Sequence, residues 1–517
     1  MLQLLIAILA IIILSPAYFY VQAGNDQALV NDKQKIPKGY RTITHLHTSF
    51  SHDAKFASEP NIQLENLKDQ GYQAVLVTEH DHSTHSSAQT DFFIPNFKNG
   101  GFEMGELYPK QWVSFHVPRA SAEYLNVTDS NLSFEGQKSF HLSLKGNEDD
   151  FDLLSFAYKE KGEDRVRERP MGYDLWLRFS LYYPEELDYS DSIAYICSVF
   201  GRRDDPAFPQ LTNRLCFYFS EEALEDAGFF DLTNSTSQIS VRLEAPSPGK
   251  WESYSINLSD YAFQLFDGLD DIPTKYLFLR QVTLNIASKN GAMAEMYVDD
   301  FQVFSKLTSE EMYKWWRNDI ESYSDDNFLV IAGLETTHKP ADIAAYGLEE
   351  WHDFSTYDVE SRIETIEGLG AISSITSPRA HNFTNVKEGG GWGAEFFEIF
   401  NTVHDSHPSI QVLKGWDHFL TQGATIFGLT GFDSHGLKGT PGKRNPTVVQ
   451  EPLYENIVLA ESLSRDDIFS AFHQGHLYVV RSDHAIRMAF SPGQEILKQA
   501  GGVVYTAPNA EAVMNVY

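Results

Sequence analysis

Six short motifs bring imidazoles and carboxylates to positions from which a metal ion could be held. His45-Leu46-His47 comes first, at the end of the β-like run Arg41-Thr42-Ile43-Thr44. Along a strand, residues i and i+2 point the same way, so one segment aims two imidazoles at a common point. Alone, this pair reads equally well as two exposed loop histidines. The later groups change that reading. His52 and Asp53 follow in the same loop, and His80 closes the apolar run Ala74-Val75-Leu76-Val77. Glu335 closes the run from Phe328 to Leu334, and His381, Asp433 and His435 follow further apolar runs. Neutral imidazoles and carboxylates suit Zn, Mn or Fe. Tetrahedral zinc takes four ligands, so this set predicts two or three divalent ions with Glu335 as the bridge.

The elements that carry these groups read as α/β. Glu59 to Gln70 has helical spacing, with Ile62, Leu64 and Leu67 apolar, Pro60 in the first turn and Gly71 as the stop. Ala74 to Val77 is a short buried-type strand running into Thr78-Glu79-His80. The pattern breaks between Phe102 and Phe304 and resumes at 328. Further strand-like runs are 371–375, 396–400 and 424–429, separated by helical segments at 357–367 and 416–422. In a parallel barrel the strand C-termini converge on one face, which would gather these distant groups. Between 102 and 306, short alternating segments at 139–144, 175–179, 215–219 and 282–286 predict a β-sandwich. It follows directly on the loop carrying His80, so it is expected near the site entrance.

Composition narrows the partners. The 517-residue chain carries 40 basic and 72 acidic side chains, a formal charge of -32. A nucleic-acid backbone needs a basic footprint, so the balance argues against that partner. Bound cations would reverse the local field and admit an anionic ester. The two cysteines, Cys197 and Cys216, cannot make a Cys-rich zinc module but could pair with each other. Residues 1–23 read as a signal peptide or an uncleaved N-terminal membrane anchor, and 24–40 as a polar linker. Either reading places the bulk of the chain outside the cytoplasm, periplasmic or secreted, where a disulfide is permitted.

His45-Leu46-His47-Thr48, Ser51-His52-Asp53, Thr78-Glu79-His80-Asp81, Gly333-Leu334-Glu335, Ala380-His381 and Asp433-Ser434-His435 resemble, in order, the successive motifs of the PHP (polymerase and histidinol phosphatase) family. Trp416-Asp417, Gly423 and the Asp433-Ser434-His435 turn resemble its CehA/McbA-like branch. The resemblance implies an α/β fold: a distorted seven-stranded β/α barrel, here interrupted by an inserted jelly-roll-like β-sandwich. It divides the chain into 41–101 and 307–490 as the two parts of the barrel, 102–306 as the insertion and 491–517 as a tail. It implies His45, His47, His52, His80, Glu335, His381, Asp433 and His435 as metal ligands. His52 stands where many members have Asp, which leaves Asp53 open as the ligand instead. A further ligand is sought at Asp342 or His338, with Asp342 closer to the CehA-type position. Glu79, in place of the usual Asp, is an expected supporting acid. Glu398 and Asn401, at another strand end, read either as partners that orient a ligand or as strand-cap polar groups.

The expected activity is metal-dependent hydrolysis of a phosphoester, with carbamate or carboxylic ester hydrolysis as the alternative. Such ions lower the pKa of water and neutralise developing charge. His80 and His435 are the candidates for proton transfer, and Arg444 for gripping an anionic substrate. A reading of another class is a non-catalytic glycan- or surface-binding protein on a degenerate barrel, with a glycan at the sandwich.

Overall fold

The computed structural model describes residues 37–51, 58–81, 112–116, 123–129, 132–146, 152–158, 169–185, 190–202, 212–219, 237–269, 271–338, 340–376, 390–401, 410–435 and 454–481. From Pro37 onward the chain forms one compact unit. Among the described residues no helix is long and apolar enough to cross a membrane. The segment expected to be a leader or anchor lies outside them.

One sheet carries the candidate site. Its nine strands are β1 (Lys38–Leu46), β2 (Ala74–His80), β3 (Leu329–His338), β4 (Ala341–Tyr346), β5 (Ile372–Thr376), β6 (Phe396–Asn401), β7 (Phe427–Gly431), β8 (Tyr454–Ala460) and β9 (Leu477–Arg481). Their order is β7-β6-β5-β4-β3-β2-β1-β8-β9. The central β2 is buried along its whole length and lies parallel to both β1 and β3, as its unbroken apolar run requires. The sheet curls until β1 meets β7. Leu46 bridges Ser434, and the Phe432 N–H donates to Thr44 O at 2.9 Å.

This architecture corrects the expected β/α barrel. That fold needs parallel strands throughout, each joined to the next by a crossover helix. Here β3–β4, β4–β5, β1–β8 and β8–β9 are antiparallel. The structure is strand-dominated, with 21 strands against six α-helices among the described residues. The physical reason lies partly in the pairing of β3 with β4, which runs antiparallel from Gly333 opposite Tyr346 to His338 opposite Ala341 and leaves no room for a crossover helix.

Helix α1 (Pro60–Asp69) begins with proline, whose missing N–H costs nothing in a first turn, and ends before Gly71 at φ +82°. Helix α2 (Ser309–Glu321) opens with a capping box between Thr308 and Glu311. It buries Met312, Tyr313, Trp316 and Ile320.

Strands between 112 and 305 form two more sheets, of seven and five strands. They pack face to face through pairs such as Phe140 on Phe156 and Phe179 on Phe219, with ring centroids 5.2 and 5.8 Å apart. Cys197 and Cys216 oppose each other on neighbouring antiparallel strands and are joined by a disulfide.

Candidate metal centre

His45 and His47 do not converge by simple strand alternation. The pairing of β1 with β2 shifts between Ile43 and Leu46, and His45 sits in the left-handed region at φ +60°. Its neighbour across the gap, Asp433, is also left-handed, at φ +51°. The Asp433 N–H donates to His45 O, and the His47 N–H donates to Ser434 O at 3.1 Å. Non-glycine residues in this region cost about 1–3 kcal/mol and persist only where the surroundings over-determine them. Here two of them face each other and turn both histidines and the aspartate into one enclosed space.

Six of the expected ligands meet there. His45 Nε2 lies 3.2 Å from Glu335 Oε1 and 3.5 Å from Asp433 Oδ1. His47 Nε2 lies 3.3 Å from Glu335 Oε2 and 3.5 Å from Asp433 Oδ1. His80 Nδ1 is 3.2 Å from Glu335 Oε2, and His435 Nδ1 is 3.5 Å from Asp433 Oδ1. The rings of His80 and His435 stack on His47, with centroids 4.4 and 4.1 Å away. Two triads result, His45–His47–Glu335 and His47–His80–His435, each with ligand atoms within 4.8 Å of one another.

The supporting hydrogen bonds fix where the imidazole protons lie. Glu398 Oε2, an acceptor only when ionised, sits 2.9 Å from His45 Nδ1. One proton therefore rides on Nδ1, which leaves Nε2, facing Glu335 and Asp433, as the nitrogen that a cation would claim. The hydroxyl of Ser51 donates to Glu79 Oε2, so its oxygen accepts from His47 Nδ1 at 2.9 Å. His47 Nε2 is thereby freed in the same way. Both Nε2 atoms are buried and without a hydrogen bond. Asn401 Nδ2 donates to Asp433 Oδ2 at 2.8 Å, and the Thr376 hydroxyl donates to Glu335 Oε1 at 2.6 Å. Glu79 also accepts the Thr48 N–H at 3.0 Å and the Thr48 hydroxyl.

The charges hold a proton on this centre until a cation takes its place. Burial opposes protonation of His45, but Glu335, Asp433 and Glu398 outweigh it and raise its pKa well above the ordinary imidazole value. Burial likewise opposes ionisation of Glu335, yet His45, His47 and His80 hold its carboxyl well below the usual range. Buried carboxylates gathered around imidazole nitrogens, whose proton a cation can displace, fit a divalent cation of the Zn, Mn or Fe kind.

Asp342 and His338 lie on the β4 and β3 arms of the hairpin; Asp342 is outside both triads, and the His338 side chain lies outside the described residues. Burial, and then the Glu335 charge, push the Asp342 carboxyl up to about 7. His52, Asp53, His381 and Arg444 lie outside the described residues. Ser51 and Thr376 are functional neighbours that the sequence reading passed over. Thr376 closes β5 and was open to the same strand-end logic that found Glu335.

No protein-family model matches the sequence, and no curated protein does. Solved structures with local likeness include a carbohydrate-binding module of the β-sandwich superfamily, at 13% identity and TM-score 0.24, covering 44% of this chain and 65% of that one. A family 11 carbohydrate-binding module from Clostridium thermocellum follows at 10% identity and TM-score 0.24, covering 42% of this chain and 97% of that one. A β-1,2-glucanase from Parabacteroides distasonis is similar at 13% identity and TM-score 0.24, covering 47% and 28%. Likenesses this distant assign neither family nor substrate.

Proposed function

We propose that this chain is an extracytoplasmic, metal-dependent hydrolase acting on an anionic ester, a phosphoester first and a carbamate or carboxylic ester second. The observation that carries the reading is the pair of buried Nε2 atoms on His45 and His47, freed by Glu398 and Ser51 and facing two carboxylates. The order of motifs that resembles PHP hydrolases supports the same reading. His45, His47, His80, Glu335, Asp433 and His435 would hold the ions. Glu335 can serve two subsites, since Oε1 faces His45 while Oε2 faces His47 and His80. Bound divalent ions would supply Lewis acidity and a neutral-pH nucleophile from water.

The chain's own groups do the rest. Asn401 holds one oxygen of Asp433 and leaves the other turned to the imidazoles. Glu398 and Ser51 keep the protons of His45 and His47 on Nδ1. His435 is the most open of the four histidines, with 12% of its side chain exposed against none for His45 and His47. Where it is not engaged as a ligand, that makes it the group best placed to pass a proton to solvent or to a leaving group. The Cys197–Cys216 disulfide supports an oxidising compartment. The test is metal content by mass spectrometry beside turnover of p-nitrophenyl phosphate and a naphthyl carbamate. Stoichiometric metal without hydrolysis of a broad ester panel would sink the enzyme reading.

A second role, glycan binding by the sandwich, is favoured by a specific observation. Trp251, Tyr182, Tyr297 and His141 are register partners across four adjacent strands of the five-stranded sheet. They lie on the face opposite Leu181, Val298 and Phe140; Tyr297 is itself buried under His141, so the half-buried Trp251, Tyr182 and His141 are the rings a ligand could reach. Successive ring centroids lie 5.6, 5.7 and 4.2 Å apart, and Phe134, 41% exposed, extends the row beyond Trp251. Glu295, the Ser180–Ser253 pair and the Arg178–Asp300 pair flank it with hydrogen-bonding groups. Aromatic faces bordered by such groups suit sugar rings. A glycan array probed with the full chain tests this role, and binding that survives both Trp251→Ala and Tyr182→Ala would contradict it.

A further inference from the structure

We infer that the sandwich contributes a positioning residue, Arg202, to the metal centre; the inference rests on the metal-centre reading. Arg202 follows the sandwich strand Ser192–Gly201. Its Nε donates to Glu59 Oε1 at 2.7 Å and a terminal nitrogen donates to Glu59 Oε2 at 2.9 Å. Both side chains are at most 2% exposed. Glu59 stands at the N-cap of α1, yet its carboxylate caps nothing. It is turned wholly to the guanidinium, a planar fork that fixes position as well as charge.

From Glu59 the constraint passes to the ligand loop in two steps. The Glu59 carbonyl accepts the N–H groups of Ile62 and Gln63, which fixes the first turn of α1. The Gln63 amide then donates to His47 O at 2.7 Å and to Ser58 O at 3.0 Å. Ser58 O also accepts the Ser49 N–H at 2.8 Å. The backbone on both sides of Thr48 therefore hangs on the helix start that Arg202 holds. A second hold comes from Phe50, buried with its ring centroid 6.0 Å from Tyr276, 6.3 Å from Phe278 and 5.8 Å from Trp315. The Thr48–Ser51 segment presents the hydroxyl that orients His47, so a shift of α1 would misplace that ligand.

The experiment uses the full chain, stripped with a chelator and titrated with Zn²⁺ or Mn²⁺ alone, with melting temperature read in parallel. Three variants are compared with wild type: Arg202→Met, Arg202→Lys and the double variant Glu59→Gln with Arg202→Met. Removing one partner of a buried pair is far more damaging than removing both. Arg202→Met is therefore expected to lose stability, and the double variant to recover most of it. In the double variant metal affinity stays weaker by roughly 10-fold or more, the usual cost of losing an outer-shell support. Arg202→Lys, which keeps the charge and loses the fork, is expected to melt near wild type and bind metal several-fold more weakly. A folded double variant or Arg202→Lys variant that binds metal as wild type does would overturn the inference while leaving the metal centre standing. A wild-type chain that takes up no metal would overturn the metal-centre reading and this inference with it.

Discussion

Glu398 Oε2 lies 2.9 Å from His45 Nδ1, and it is Gly431 that makes room for that carboxylate. A Cβ at position 431 would fall on the Glu398 carboxyl group itself. The imidazole of His45, the acid that orients it and the strand that accommodates the acid thus form one unit spanning β1, β6 and β7. His45 and Glu398 are 353 residues apart in the chain.

Two substitutions probe that unit from opposite sides. Glu398→Gln removes the charge that holds the proton on Nδ1, and Gly431→Ala displaces the carboxylate without changing it. Each is expected to weaken metal binding by about 10- to 100-fold, as measured by titration of the chelated protein. Wild-type affinity in both would show that Glu398 only fills space.

Glu335 is the carboxylate shared by His45, His47 and His80. Glu335→Gln is expected to lower the metal content per chain and to reduce ester hydrolysis by roughly 10²-fold or more. Mass spectrometry of the purified variant beside a steady-state assay reads both. Full metal content in the variant would remove Glu335 from the ligand set.

Asp342 gives a pH signature in the metal-free chain. Its carboxyl is pushed up to about 7 by burial first and the Glu335 charge second. An aspartate in the unfolded chain ionises near 4, so between about 4 and 7 the folded chain holds a proton that the unfolded chain has released. Stability from this group must then fall as pH rises through that window and level off above it. Urea unfolding at a series of pH values, with chelator present, is expected to show Asp342→Asn gaining on wild type from about pH 4 to about pH 7. Parallel pH profiles would contradict this.

The disulfide closes a loop between residues 19 apart on paired sandwich strands. Replacing both cysteines by serine is expected to cost about 3 kcal/mol in urea unfolding, mostly through the unfolded chain. Metal content should stay at the wild-type level, because the bridge lies on strands that hold no candidate ligand. A loss of metal in the folded double-serine variant would place the disulfide in the path that supports the site.

Much of the site could be read from the chain because its ligands end apolar runs. Val77 leads to His80 and Leu334 to Glu335, and a polar group closing a buried strand needs a reason to be there. The segments 139–144, 175–179, 215–219 and 282–286, read as strands from their alternation, lie on strands. What misled was strand direction. A short apolar run such as Ala341–Tyr346 is equally compatible with parallel and antiparallel neighbours. Only the antiparallel register that sets His338 opposite Ala341 decides between them, and it removes the helix that a β/α barrel requires. The convergence of His45 and His47 was anticipated for the wrong reason, since a left-handed residue and a register shift achieve it. The sandwich was expected to border the site entrance. The Arg202–Glu59 pair and the Phe50 contacts tie it to the backbone of the ligand loop, a long-range relation that no local pattern announces.

The central claim is that His45, His47, His80, Glu335, Asp433 and His435 bind divalent ions. Its most direct test is the metal stoichiometry of the purified full chain by inductively coupled plasma mass spectrometry, after incubation with Zn²⁺, Mn²⁺ and Fe²⁺ and removal of excess. The account predicts about two tightly held ions per chain, since four donors serve one tetrahedral ion and six converge here around a shared carboxylate. A folded chain that retains none of the three metals would contradict it.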